Sequence, residues 1–296
     1  MKSRGRDVLQ LAFGAGIISF TGVLVKLAHL GPAGIGFYRM VSGALMLFCI
    51  LLVTRARLRW TRTSLLLAAA AGVVFATDLS FWHRSIINVG VGLATILVSF
   101  QVFVLAALGV LFLRERLSLR LVLATLLALG GVLLIIRFDP GRITPRYAAG
   151  VAFGLVSACC YAAYILILRR METIAGPKAT VSNLAATSLV CALVLGLEAL
   201  IAREPFRISD SGTLAAVAGL GLIGQVLGWV TITRVLPRVR AALVGLILLL
   251  QPALSVVWDM LFFGRRLTAI AVLGVALTLF AIYLGTTAAA RPAPSD

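Results

Sequence analysis

Five charged side chains lie inside long apolar runs of this 296-residue sequence, where a charge is unusual. At the centre of a membrane-spanning helix such a charge costs roughly 2.5–3.5 kcal/mol, so each one requires a partner or a function. A carboxylate there can take up and release a proton, and an ion pair between helices can open and close a path. Four of the five, Asp78, Lys26, Arg39 and Asp259, are predicted to have gating or coupling roles, with Asp78 as the proton carrier, and Glu198 is predicted to be an interfacial anchor. We predict a gating or coupling role also for His83, at the outer end of a span.

The same charges have a structural interpretation. All five lie in the outer half of their predicted spans or at the outer interface, with Asp78 near the outer end of the third span. Lys26 and Arg39 can extend toward the membrane surface, and Asp78 and Asp259 can pair with neighbouring arginines. Both interpretations are open at the level of the sequence.

Uncharged polar and aromatic side chains near the middle of several runs form a second set of candidates. Amide groups can hold an ammonium and a carboxylate, and aromatic rings offer apolar or cation–π faces, so this lining suits a zwitterionic solute. Gln251 precedes Pro252, which lacks an N–H and disturbs the preceding helical turn. We predict substrate contacts for Gln101, Gln251, Tyr161, Tyr164, Trp82, Trp229, Gln225 and Ser99. The alternatives are interhelical hydrogen bonding for the glutamines and packing or interfacial anchoring for the aromatic residues.

Signatures of other chemistries are absent from the sequence. It contains no G-x-x-x-x-G-K-[ST] nucleotide-binding motif, no H-E-x-x-H or G-x-S-x-G motif, and no pair of intramembrane aspartates typical of a protease. The four cysteines, Cys49, Cys159, Cys160 and Cys191, fall inside apolar runs without metal-ligand or disulfide spacing. We therefore predict no enzymatic activity, no cofactor and no metal site.

Ten apolar runs, each long enough to cross a bilayer as a helix, carry the candidate residues. With 61% hydrophobic and 12% charged residues, the chain is too apolar for a soluble globular domain. A helix satisfies its own backbone hydrogen bonds in lipid, so each run predicts a membrane-spanning helix. The predicted spans are 8–28, 34–53, 64–82, 90–113, 119–136, 148–168, 181–201, 213–233, 241–263 and 269–288.

The basic residues fall mostly on the loops between these runs. The chain has 27 Lys and Arg against 10 Asp and Glu, a net charge of +17. If the N-terminus is cytoplasmic, 17 of the basic residues lie on the cytoplasmic side and 8 on the outer side. This distribution follows the positive-inside rule and predicts that both termini are cytoplasmic. Membrane lipid, and not nucleic acid, is then the partner of the basic residues, because no basic face or stacking motif accompanies the charge.

The two halves of the sequence resemble each other. Residues 101–117 and 251–267 align at an offset of 150 with five of 17 positions identical, among them Gln101/Gln251 and Arg116/Arg266. Because five spans is an odd number, two tandem copies enter the membrane from opposite sides, as in many secondary transporters with a substrate site near the bilayer midplane. We predict an all-α integral membrane protein of ten transmembrane helices, arranged as two inverted five-helix repeats over residues 1–139 and 140–296.

The end of the fourth span carries the most specific pattern. The stretch VLFLRERLSLRLVLATLLALGGVLLI, residues 110–135, contains an apolar run, then Glu115-Arg116-Leu117, then a helix with the paired glycines Gly130-Gly131. With ten short spans in two repeats, this pattern resembles the drug/metabolite transporter superfamily, in particular its EamA-type members. Among these, the chain is similar to the YddG-type exporters of aromatic and other amino acids.

The resemblance implies a secondary transporter that exports small metabolites, above all amino acids, across the bacterial inner membrane by alternating access. It implies an amino acid-like substrate, membrane lipid and protons as partners. The second repeat departs from the family at Arg265, where a glutamate is common. The alternatives are a multidrug or quaternary-amine exporter, a class that commonly uses a buried carboxylate, and a lipid-handling membrane protein. No carboxylate is predicted near mid-depth.

Overall fold

Ten helices in chain order make up the computed structural model, which describes residues 2–55, 60–115, 117–135, 145–208, 210–264 and 268–290. The predictions made for Arg116, Arg265 and Arg266 lie outside the described residues. The helices are α1 (Gly5–Leu27), α2 (Pro32–Val53), α3 (Arg62–Gly90), α4 (Leu93–Leu113), α5 (Leu119–Leu134), α6 (Pro145–Ala175), α7 (Thr180–Ile201), α8 (Ser211–Arg238), α9 (Ala241–Phe263) and α10 (Ala269–Thr287).

The outer surface of this bundle is apolar. Nine of the helices in the described part of the chain are long and apolar enough to cross a membrane, and α5 is shorter. Large apolar side chains point outward, among them Leu52, Phe112 and Ile201 with 77%, 75% and 75% of their surface exposed. Water disfavours a surface of this kind, whereas lipid accommodates it. The predicted all-α membrane fold is confirmed.

Helix packing repeats between the two halves. Contacts join α2 to α7, α4 to α9 and α5 to α10, which are the pairs of equivalent helices. Contacts also join α3 to α6 and α8 to α1. These two contacts are equivalent, because α8 corresponds to α3 and α1 corresponds to α6 in the repeat. This is the pattern that a two-fold axis between inverted repeats produces. At the α5–α10 contact, a Cβ on Gly131 would collide with Thr278 Oγ1, so the predicted glycine pair includes one position where only glycine allows the approach.

The chain direction assigns the helix ends to two faces of the bundle. The terminal face holds the start of α1, the end of α4 and the start of α9, and there Glu115 accepts hydrogen bonds from the Ala241 N–H at 2.8 and 3.0 Å. The opposite face holds the ends of α1, α3 and α9, and there Lys26 Nζ lies 2.6 Å from Asp259 Oδ1.

Four helices are irregular near their middle. Helix α1 is interrupted at Phe20, α4 at Phe100 and α9 at Leu249. Helix α8 widens into a π-helix over Gly221–Trp229. Such wide turns occur frequently at functional sites, because they redirect side chains relative to a regular helix. The irregular segments therefore point to the middle of the bundle as the place of a functional site.

Helix α3 is longer than predicted, and this changes the position of Asp78. The expected end at residue 82 is wrong, because the helix continues to Gly90. Ser85 Oγ donates to the Gly150 carbonyl at 2.8 Å, and Asn88 Nδ2 donates to the Arg84 carbonyl at 2.7 Å. These bonds satisfy the polar side chains within the helical bundle. Asp78 consequently lies near the middle of α3 and not at its outer end.

Candidate functional site

Four aromatic rings from three helices form a central cluster at mid-depth. The rings of Phe75 and Tyr164 stack with centroids 4.2 Å apart and an interplanar angle of 8°. Trp229 meets Tyr164 edge-on at 4.8 Å and Phe75 at 5.9 Å, and Tyr161 lies 6.0 Å from Trp229. We call Phe75, Tyr161, Tyr164 and Trp229 the central aromatic cluster. It joins α3 of the first half to α6 and α8 of the second.

Helical spacing positions a carboxylate beside this cluster. Asp78 follows Phe75 by three residues, which places both on one face of α3. Ser157 precedes Tyr161 by four residues on α6, and its hydroxyl donates to Asp78 Oδ1 at 2.5 Å. Asp78 and Ser157 are both buried, at 5% and 0% exposure. The carboxylate is therefore fixed between the halves by a side chain of the opposite repeat.

Arg39 of α2 brings a positive charge to the same cluster. Its guanidinium carbon lies 6.0 Å from the centre of the Phe75 ring. Within the described ranges, no ion pair of 4.0 Å or less joins Arg39 to a carboxylate. A Cβ on Gly224 would lie 3.0 Å from the Arg39 Nη2, so the glycine makes room for the guanidinium. The interpretation that Arg39 extends to the membrane surface is wrong.

The π-helix of α8 supplies an amide and an indole. Gln225 is 1% exposed and its Oε1 accepts a long hydrogen bond of 3.5 Å from Ser188 of α7. Trp229 is likewise 1% exposed. Gln225 Nε2 and Trp229 Nε1 are buried without a hydrogen-bond partner in the described part of the protein. This segment therefore presents free donors at the depth of the aromatic cluster.

The two repeat-equivalent glutamines occupy different surroundings. Gln251 Nε2 donates to the Tyr161 hydroxyl at 3.4 Å, which connects α9 to the central aromatic cluster. Gln101 Nε2 donates to the Gly245 carbonyl at 3.4 Å and is 2% exposed between α4 and α9. Ser99 Oγ donates to the Thr95 carbonyl of its own helical segment at 2.8 Å. The structure thus brings Gln251, but not Gln101 or Ser99, into contact with the cluster.

Other predicted residues lie toward the opposite face. Lys26 and Asp259 form a direct ion pair between α1 and α9, and Lys26 also lies 4.8 Å from the centre of the Phe263 ring. Glu198 of α7 accepts a hydrogen bond from Ser80 at 2.5 Å and pairs with Arg84 at 3.3 Å.

Trp82 and His83 lie one turn beyond Asp78 toward that face. Their rings are 5.2 Å apart, and both side chains are half-buried. The structure thus places Trp82 beyond the central aromatic cluster.

Three features of the site were not predicted from the sequence. The sequence does not distinguish Phe75 and Ser157 from the many other apolar and small residues of the spans. The one available signal for Ser157 is its position four residues before Tyr161, on the same face of the helix. Glu115 pairs with Arg169 at 2.9 Å on the terminal face, with side chains 8% and 18% exposed. The signal available for this pair was a carboxylate directly after α4 and an arginine near the end of α6. Among the residues that the structure describes, no three His, Cys, Asp or Glu side chains could hold a metal ion.

Comparisons with known proteins agree with this architecture. The model of the EamA-like transporter family matches residues 8–137 and 148–287. An uncharacterized transporter of Archaeoglobus fulgidus is 24% identical over 273 residues, covering 90% of this chain and 93% of the relative. A protein of known crystal structure superposes with a TM-score of 0.80 at 17% identity, covering 97% of this chain and 99% of the other, which shows the shared fold. The protein is therefore a non-enzymatic, multi-pass integral membrane protein that belongs to the EamA-like transporter family.

Proposed function

We propose that this transporter exports amino acids, mainly neutral and aromatic ones, across a bacterial inner membrane by alternating access around the central aromatic cluster. One observation carries the proposal: a carboxylate, a guanidinium and aromatic rings meet at mid-depth between the two halves. Asp78 and Arg39 offer complements to an ammonium and a carboxylate. Asp78 shares a face of α3 with Phe75, and the Arg39 guanidinium lies 6.0 Å from the Phe75 ring. The rings of the cluster offer an apolar surface for a substrate side chain.

The direction and the location are supported by sequence features. The EamA-type resemblance supports export and an inner membrane, and the 17 to 8 distribution of basic residues supports cytoplasmic termini. Residues 1–139 and 140–296 are proposed as the two moving halves. Lys26 and Asp259 would then form a gate on the opposite face, because their ion pair joins α1 of one half to α9 of the other.

Asp78 is the proposed site of proton coupling. Its carboxylate is buried and has a hydroxyl partner, Ser157, that can donate to the ionised form or accept from the protonated form. A group with both options can change its protonation state without losing its hydrogen bond.

A quaternary-amine or drug exporter is the second candidate. The observation that favours it is the position of Asp78, near mid-depth and three residues from Phe75, because a carboxylate beside aromatic rings suits an organic cation. Arg39 argues for the first candidate, since a nearby guanidinium repels a substrate that carries only positive charge.

The test is transport by purified protein in proteoliposomes with labelled threonine, methionine, phenylalanine and choline, with and without a pH gradient. We expect saturable amino-acid flux and about a fivefold loss of it in Gln251→Ala, which removes one hydrogen bond to Tyr161. Gln10→Ala is the matched control, because Gln10 donates to the Thr231 carbonyl and not to a side chain of the cluster. Amino-acid flux unchanged in both Gln101→Ala and Gln251→Ala would exclude the proposed site, and flux of choline alone would establish the second candidate.

A further inference from the structure

Four polar atoms around the central aromatic cluster are buried without a hydrogen-bond partner in the described protein. They are Arg39 Nε, Tyr164 OH, Gln225 Nε2 and Trp229 Nε1. Three of these atoms can only donate, and the fourth can donate or accept. A buried donor without a partner is destabilising, and few remain in native proteins without a reason. These four atoms therefore lack a hydrogen-bond partner within the described protein, and three of them need an acceptor.

The four groups adjoin one another. The Tyr164 ring lies 4.2 Å from Phe75 and 4.8 Å from Trp229, centre to centre, and the Arg39 guanidinium lies 6.0 Å from the Phe75 ring. Gln225 follows Gly224, whose missing side chain leaves room for that guanidinium. The side chains from α2, α6 and α8 that carry these atoms therefore pack around the same cluster.

The charges define which acceptor fits. Arg39 brings one positive charge that no direct ion pair neutralises within the described ranges. Asp78 does not lie within ion-pair distance of Arg39, and its Oδ1 accepts from Ser157. A guanidinium holds a carboxylate through two parallel hydrogen bonds, and neutral N–H and O–H donors strengthen such a contact. One cation with neutral donors matches a group with one negative charge better than a doubly charged phosphate.

We infer that Arg39, Gln225, Trp229 and Tyr164 form a carboxylate-binding subsite, so that the transporter selects substrates by their carboxylate and not by their ammonium group. The inference rests on the proposed function and deepens it, since it names the group that every substrate must carry. Acids without an amino group bind, whereas esters and amines of the same shape are rejected.

The test compares four compounds that share a phenyl group and differ at the polar end. Purified full-length transporter in detergent is titrated with phenylalanine, 3-phenylpropionate, phenylalanine methyl ester and phenethylamine, and binding is measured by thermal stabilisation. We expect the two acids to bind about tenfold or more tightly than the ester and the amine. The ester and the amine both lack the carboxylate that pairs with the Arg39 guanidinium. Phenyl phosphate is included to separate a carboxylate site from a phosphate site.

Variants connect the selectivity to the subsite. Arg39→Gln is expected to remove binding of both acids, and Arg39→Lys to weaken it, since lysine retains the charge but lacks Nε–H. Arg84→Gln is the matched control, because Arg84 pairs with Glu198 near the opposite face and is half exposed. Size-exclusion profiles of all variants verify that they remain folded.

The outcomes separate this inference from the proposed function. Equal binding of ester and acid, binding of none of the four compounds, acid binding retained in Arg39→Gln, or tighter binding of phenyl phosphate would each overturn the carboxylate subsite. If 3-phenylpropionate binds through Arg39 while no amino acid is transported, the subsite stands and amino-acid export fails. If amino acids are transported equally by wild type and Arg39→Gln, the export proposal stands and the subsite fails.

Discussion

Removing the ion pair between Glu115 and Arg169 is expected to destabilise the terminal face strongly. The two side chains are 8% and 18% exposed, and Glu115 also accepts from the Ala241 N–H at the start of α9. Removing one partner of a buried pair costs about 3–5 kcal/mol, because the other charge is left uncompensated. Lys26 and Asp259 are 46% and 19% exposed, and breaking such an accessible pair costs less than about 1 kcal/mol.

The assay is equilibrium unfolding of the purified protein in mixed micelles, titrated with sodium dodecyl sulfate and followed by tryptophan fluorescence. Glu115→Gln is expected to lower the free energy of unfolding by about 3 kcal/mol, and Lys26→Gln by less than about 1 kcal/mol. The double variant with Arg169→Gln is expected to lose less than the sum of the single losses, which isolates the pairwise interaction. Equal losses in Glu115→Gln and Lys26→Gln, or strict additivity with Arg169→Gln, would refute the reasoning.

Three further predictions concern the site and the opposite face. Asp78→Asn is expected to remove the dependence of amino-acid flux on a pH gradient, and flux that still responds to the gradient would contradict proton coupling through Asp78. Gly224→Ala is expected to weaken substrate binding about tenfold by displacing the Arg39 guanidinium, while Gly130→Ala, which has open space around it, serves as the control in the same binding titration. Hydrogen bonds from the first turn of α8 lower the pKa of Asp210, so its stabilising effect is present at neutral pH and is lost as the pH falls through that lowered pKa. The melting temperatures of wild type and Asp210→Ala are accordingly expected to differ at pH 7 and to converge in acid.

The fold was accessible to sequence reasoning because lipid imposes simple requirements. Each apolar run had to become a helix, and the alignment of residues 101–117 with 251–267 indicated the repeat. The end of α3 was mispredicted because hydropathy treats Ser85 and Asn88 as signs of a loop. The hydrogen bond from Ser85 to the Gly150 carbonyl exists only after α3 and α6 have packed, and Asn88 bonds to the Arg84 carbonyl within α3 itself.

Only part of the candidate site could be predicted from the sequence, because the position of some of its side chains depends on how the helices pack. Tyr161, Tyr164 and Trp229 were found because large aromatic residues at mid-depth are few in this sequence. The depth of Arg39 could not be found, because it depends on which helix faces α2. The space for the guanidinium is created by Gly224, which lies 185 positions further along the chain. A glycine in a helix gives no sequence signal that distinguishes packing against a neighbour from cradling a charge.

The ends of α4 and α9 have the same backbone conformation although their residue types differ. Arg114 and Gly264, at an offset of 150, both end their helices in the left-handed conformation, with φ of 53° and 63°. The N–H of the capping residue bonds to the Gly109 carbonyl in the first half and to the Asp259 carbonyl in the second. In the first half the Glu115 carboxylate lies over Gly109, within 2.9 Å of where a Cβ would stand.

The second repeat also carries an acid near this helix end, at a different position in the chain. Asp259 stands at the repeat position of Gly109, and its carboxylate pairs with Lys26 of α1. In the first half Glu115 pairs with Arg169 of α6, the repeat equivalent of α1. An acid–base pair thus joins α4 to α6 at the terminal face, and an equivalent pair joins α9 to α1 at the opposite face. The resemblance implies a glutamate where this chain has Arg265, yet the second repeat still has an acid near this end of α9, Asp259, which lies six residues earlier and pairs with Lys26.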